Sequence, residues 1–103
     1  MHLEKLASYL REHCCGRQHS MQSAQLERAL RKKGSALRKQ IHRLRQKGCP
    51  IASDRNGYYY AASAAEVYQT IRQLRIMARG LEKAIRGLEL ALEQFQQQEG
   101  GPV

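Results

Sequence analysis

A heptad stripe fills the last third of this 103-residue chain and limits its fold more than any other feature. Val67, Ile71, Leu74, Ala78, Leu81, Ile85, Leu88, Leu92 and Phe95 follow one another at alternating spacings of four and three. The resulting period of 3.5 predicts one long α-helix that supercoils left-handedly with a partner. Ser63, with Glu66 three residues on, is a capping box at its start. At 1.5 Å per residue the helix is about 50 Å long, more apolar edge than the rest of the chain can cover. A homo-oligomer, with a dimer favoured, is therefore expected to bury the stripe. The alternative is a helix that folds back on its own chain or breaks at Gly80 or Gly87, each of which costs roughly 1 kcal/mol of helix propensity. Met77, Ala84 and Ala91 widen the apolar face, so more than two helices remain possible, and the order of the helices is not readable. Residues 63–97 are thus an oligomerisation helix, and 98–103 a polar, Gly-rich flexible tail.

The first 62 residues have a different grammar. Leu37, Ile41 and Leu44 form a short helical stripe within a predicted helix from Ser35, its cap, to Lys47. Gly48 then supplies a left-handed stop. Pro50 to Ser53 reads as a short strand, Asn56-Gly57 as a two-residue type I′ turn, and Tyr58-Tyr59-Tyr60 as the return strand. That turn would pair Ser53 with Tyr60 and Arg55 with Tyr58, and put Ile51 and Tyr60 toward the core with Tyr59 on the other face. The fold class expected is mainly α with a small β-hairpin wing: a winged helix-turn-helix followed by a long coiled-coil helix.

Ser35-Ala36, Lys39-Gln40-Ile41, Leu44-Arg45, Gly48, Ile51 and Gly57-Tyr58 carry a resemblance to a known family. The stretch resembles the N-terminal winged-helix domain of biotin operon repressors, and looks closer still to small phage and prophage winged-helix proteins. The resemblance covers roughly residues 1–62. It implies a double-stranded DNA-binding domain with the helix from Ser35 as recognition helix. No ligase domain follows, so biotin chemistry is not implied. The turn Arg31-Lys32-Lys33-Gly34 departs from the pattern, carrying charge where such turns usually hold glycine and an apolar plug.

Charge points the same way. Residues 1–60 hold thirteen Lys or Arg against four Asp or Glu, while residues 61–103 hold five against five. The formal charge of +9 therefore belongs to the first domain, with nine cations and no acid between Arg28 and Lys47. Such a field favours polyanions and makes binding salt-dependent. On the third helix, Lys39, Gln40 and Arg43 are the expected base readers, with Ala36 able to touch a thymine methyl and Ser35 beside it. Arg38, His42, Arg45 and Lys47 are expected at phosphates, as are Lys32 and Lys33 in the turn. Arg55 and Asn56 at the wing tip would reach the backbone or minor groove. The three tyrosines are expected in core and interface, with a stacking platform for single strands as the alternative.

Upstream, Leu3, Leu6, Ala7 and Leu10 predict a supporting helix over residues 2–13. Ser20 to Gln22 should pair with the wing, and Ser23 should cap a second helix that faces Leu26, Ala29 and Leu30 inward. The start of that helix, Ser23 to Gln25, is a candidate phosphate clamp. His13, Cys14, Cys15 and His19 look at first like metal ligands, but adjacent cysteines lack the C-x(2–4)-C spacing of structural zinc sites. A helix end, a Gly16 turn and one buried cysteine are the plainer reading, and no metal or other cofactor is expected. An odd cysteine count without a signal peptide suggests reduced thiols in a cytoplasmic chain; that it is bacterial or phage-encoded is what the resemblance implies. No apolar run is long enough to span a membrane.

The sequence thus leads to a dimeric, sequence-specific DNA-binding protein, a transcriptional regulator or a phage DNA-transaction protein. An adaptor whose coiled coil binds another protein, with non-specific nucleic-acid binding, is the second reading. An enzyme is not expected: the basic domain has no nucleophile motif and no phosphate loop.

Overall fold

Leu6, Leu10 and Cys14 recur every four residues from the first helix onward, and all three are fully buried. Side chains at that spacing share one helix face. They form the floor of a core completed by Leu26, by Leu37, Ile41 and Leu44, and by Ile51, Ala52 and Tyr59. The computed structural model describes residues 2–100. The order is α1 (His2–His13), a 3₁₀ turn (Arg17–His19), α2 (Ser23–Leu30), α3 (Gly34–Gln46), β1 (Ile51–Asp54), β2 (Gly57–Tyr60) and α4 (Ala64–Gln98). The protein is mainly helical, with one antiparallel hairpin and a long C-terminal helix. It forms two compact units, the first ending at Thr70 and the second beginning at Ile71.

Two expected caps are replaced by neighbours. The N-cap of α2 is Gln22, not Ser23: Gln22 and Gln25 form a reciprocal box, with the Gln22 amide donating to Gln25 Oε1 at 3.2 Å. Ser23 is instead the first helical residue and donates its hydroxyl to Glu27 at 3.1 Å. The N-cap of α3 is Lys33, without a side-chain bond, so Ser35 lies inside the helix and exposed. Ala29, expected inward, is exposed, while Leu30 packs on the core as expected. Between the helices Arg31 adopts φ 54°, ψ 50°, a left-handed conformation that closes α2 and normally favours glycine. At Gly34 an added Cβ would lie 3.0 Å from Glu27 Oε2, so the start of α3 passes close to α2.

The hairpin register differs from the expected one by two residues. Ser53 pairs with Tyr58 and Ile51 with Tyr60, and Asp54 and Gly57 close the turn around Arg55-Asn56. Asn56 has no positive φ; its amide instead donates to Asp54 Oδ1 at 2.8 Å, an Asx turn that substitutes for the Asn-Gly geometry. A two-residue shift keeps every side chain on its own face. Tyr59, expected on the outer face, is 1% exposed because the face it shares with Ala52 is covered too, while on the other face Ile51 is buried and Tyr60 half-buried. The expected pairing of residues 20–22 is present: Met21 and Tyr58 exchange backbone bonds at 2.9 Å each. On the same edge of β2, Gly16 donates to the Tyr60 carbonyl at 2.8 Å and Tyr60 to the Cys14 carbonyl at 2.7 Å.

α4 begins as expected at Ser63, whose hydroxyl accepts the Glu66 amide at 3.3 Å. The Glu66 carboxylate does not return to Ser63; it accepts the Ala62 amide at 2.8 Å and the Arg17 amide at 3.0 Å. Farther along, Thr70 is 5% exposed and its hydroxyl accepts the Ser53 amide at 3.2 Å. The compact unit expected to end at residue 62 therefore takes in the first two turns of α4. At the other end Gln98, expected in the tail, is still helical, and residues 101–103 of that tail lie outside the described residues.

Candidate nucleic-acid interface

α3 presents its cations because its apolar positions leave them one way to face. Leu37, Ile41 and Leu44 fix the inner side, so Ser35, Ala36, Arg38, Lys39, His42, Arg43, Gln46 and Lys47 are all exposed. Ser35, Arg38, Lys39, His42, Arg43 and Gln46 line one shallow, open depression. It contains three cations and no acid. Gln46 was not singled out by sequence, although it continues the run from Ser35 through Lys39 and His42 at helical spacing. Its side-chain nitrogen lies 3.1 Å from His42 Nε2. With Gln46 donating, Nε2 accepts and the ring proton sits on Nδ1, so this bond belongs to the neutral imidazole.

One expected base reader, Gln40, and one expected phosphate contact, Arg45, lie elsewhere. At ~100° per residue, Gln40 and Arg45 fall ~70° to either side of the core stripe rather than opposite it. Gln40 is half-buried, and its Oε1 is shielded from solvent without a hydrogen-bond partner among the described residues. Arg45 turns away from solvent: its Nε donates to the Ile51 carbonyl at 2.8 Å and Nη2 to Ser53 Oγ at 3.1 Å. Burial pulls its pKa below the ordinary guanidinium value, with Tyr58 opposing. An arginine that far above neutrality keeps its charge, and it serves here to join α3 to β1 rather than to meet a phosphate.

The turn before α3 leaves Arg31 and Lys33 exposed and Lys32 half-buried, and Arg28 on α2 is also exposed. Arg55 and Asn56 are exposed at the hairpin tip. The candidate clamp at Ser23 to Gln25 is weaker than expected. The Gln22 side chain takes the Gln25 amide, and the groove there is shared with Asp54. Asp54 in turn lies 3.7 Å from Arg17 Nε. Hydrogen bonding to Tyr59, against a desolvation cost, together with the charges of Asp54 and Glu66, raises the Arg17 pKa.

None of the three hairpin tyrosines is exposed, so they offer no stacking platform. Cys14, Cys15 and Cys49 are free thiols, and burial pushes Cys14 and Cys49 above the ordinary thiol value. Among the described residues no group of three His, Cys, Asp or Glu is placed to hold a metal ion. None of the described helices is long and apolar enough to cross a membrane.

On α4 the stripe is open to solvent. Ile71 and Leu74 are 39% exposed, Leu81 67%, Leu88 71% and Phe95 59%. Ala78, Ile85 and Leu92 are exposed too, and Val67 is half-buried. Ile76 and Leu90, off the seam, are further exposed apolar residues that the heptad pattern does not mark. Compared with known protein families, with curated proteins and with solved structures, the chain matches none.

Proposed function

We propose that this chain is a sequence-specific double-stranded DNA-binding protein of the winged helix-turn-helix type. In this reading α3 enters the major groove and the β1–β2 hairpin is the wing. The observation that carries it is the acid-free face formed by Ser35, Arg38, Lys39, His42, Arg43 and Gln46, the mixture of donors that suits base edges and flanking phosphates. Lys39 and Arg43 are the base readers, while Ser35, Arg38, His42 and the turn residues Lys32 and Lys33 hold the backbone. Arg55 and Asn56 are the wing contacts. Gln40 and Arg45 are not part of the reading surface.

Self-association through α4 would bring two such domains to one inverted repeat, as in a transcriptional regulator or a phage DNA-transaction protein. The chain acts by binding, not by catalysis. Selection from a randomised duplex pool at near-physiological salt tests the reading. An enriched inverted repeat is expected. Retention without enrichment, lost steeply as salt rises, leaves backbone binding only. The exposed α4 stripe then favours the second reading, an adaptor that presents its helix to another protein.

A further inference from the structure

Beyond Thr70, α4 carries its charges in an uneven order. Arg72, Arg75 and Arg79 come first, with no acid before Glu82; Glu89 and Glu93 come last, with no base after Arg86. Two such helices are complementary when they run head to tail. A parallel pair would set each basic end beside its own copy. It would also gain no ion pair across the seam, because the positions that would face Arg75, Glu82 and Glu89 there are Thr70, Met77 and Ala84.

We infer that a second copy of this chain covers the α4 stripe in antiparallel order, in the register that sets Ile71 against Phe95 of the second copy. This rests on the self-association in the reading above and adds its geometry. In this register every seam residue from Ile71 to Phe95 faces a seam residue. Small Ala78 meets Leu88, whereas a parallel pair would set Ala78 on Ala78 and Phe95 on Phe95. Alternation of large and small residues fills a helix interface at native density. Along one flank, Arg75 then faces Glu89 and Arg72 faces Glu93, each twice by symmetry. Glu82 meets its own copy at the two-fold axis. Arg79 and Arg86, one turn to either side on the same helix, fall opposite each other across the pair by the rule that sets Arg72 opposite Glu93, and the two Glu82 carboxylates between them offset both like-charge contacts. On the other flank Ala84 meets Ala84, so the helices can approach closely.

Charge reversal on the full chain tests this. Arg75→Glu and Glu89→Arg are each measured alone and then mixed in equal amounts, by sedimentation equilibrium at low salt, where exposed ion pairs are least screened. Each variant alone places like charges at both symmetric contacts, and is expected to self-associate about tenfold more weakly than the original chain. The mixture regains complementary charges at both contacts, so association should return as heterodimers. Variants that associate like the original chain, with no gain on mixing, overturn the antiparallel register and leave self-association standing. An original chain that sediments as a monomer at micromolar concentration overturns self-association and this inference with it. Circular dichroism on each variant shows that α4 has stayed helical.

Discussion

Arg45 Nε donates to the carbonyl of Ile51 at 2.8 Å, tying the last turn of α3 to the first residue of β1. With the second bond to Ser53 Oγ, the guanidinium is an internal strut on a helix whose other arginines face water. Arg45→Met keeps the aliphatic stem and deletes both bonds. Hydrogen bonds to charged groups are worth about 1.5–3 kcal/mol, and part-burial places the loss toward the lower figure. Urea unfolding should show a lower midpoint at unchanged slope.

Arg43→Ala is the contrasting variant. Arg43 is exposed and has no hydrogen-bond or ion-pair partner among the described residues, so stability should stay within about 0.5 kcal/mol. On a selected duplex site the affinity should fall by about 1–3 kcal/mol, with preference relaxed at one base position. Equal losses on selected and random duplexes would assign Arg43 to the phosphates instead.

Gly57→Ala probes the turn. The backbone there has φ 128°, and an added Cβ would lie 2.2 Å from the Met21 carbonyl oxygen. Strain of this kind costs about 1–3 kcal/mol, and the Met21–Tyr58 pairing is the structure that must give way. Hydrogen exchange at the Met21 and Tyr58 amides should rise well above that of the α3 core amides.

Glu66 sets an acid limit. The Ala62 amide, then the Arg17 amide, donate to its carboxylate and hold its pKa below the ordinary carboxylate value. A depressed carboxyl pKa contributes stability above the unfolded-state value and loses it as pH falls through the folded one. Thermal midpoints should therefore decline in acid below the usual carboxylate range. In Glu66→Gln that part of the decline should be absent and the midpoint near neutrality lower. A Gln variant whose acid profile overlays that of the original chain would remove Glu66 from the account.

The chain's grammar made its elements legible where periodicity is strong. The α3 stripe and the long α4 follow from spacing alone, and Gly48 stops α3 as glycine placement suggests, at φ 90°. The turn was misread because two signals compete over four residues. Asn56-Gly57 invites one geometry, but the Asp54 carboxylate captures the Asn56 amide and moves the turn back. That shift leaves Tyr59 on the same face as before; it is buried because the face it shares with Ala52 is covered as well as that of Ile51. The partial burial of Arg45 and Gln40 departs from the exposed face expected of them, although their angular distance from Leu37, Ile41 and Leu44 is legible in the sequence. The capping of α2 by Gln22 rather than Ser23 illustrates a limit of another kind. A box of two glutamines is chemically sound but sits outside the usual preference.

Thr70 and Ser53 are seventeen residues apart yet share one hydrogen bond, and Glu66 closes a second link back to Arg17. Where the chain is cut therefore matters to any biochemistry done on its pieces. A fragment ended after the hairpin, at the point where the sequence changes character, would leave a β1 amide unsatisfied and the 3₁₀ turn unanchored. Weak DNA binding by such a fragment would report faulty folding and would not count against the proposed function. The shortest faithful piece runs past Thr70 and includes the root of the helix that otherwise looks like a separate part.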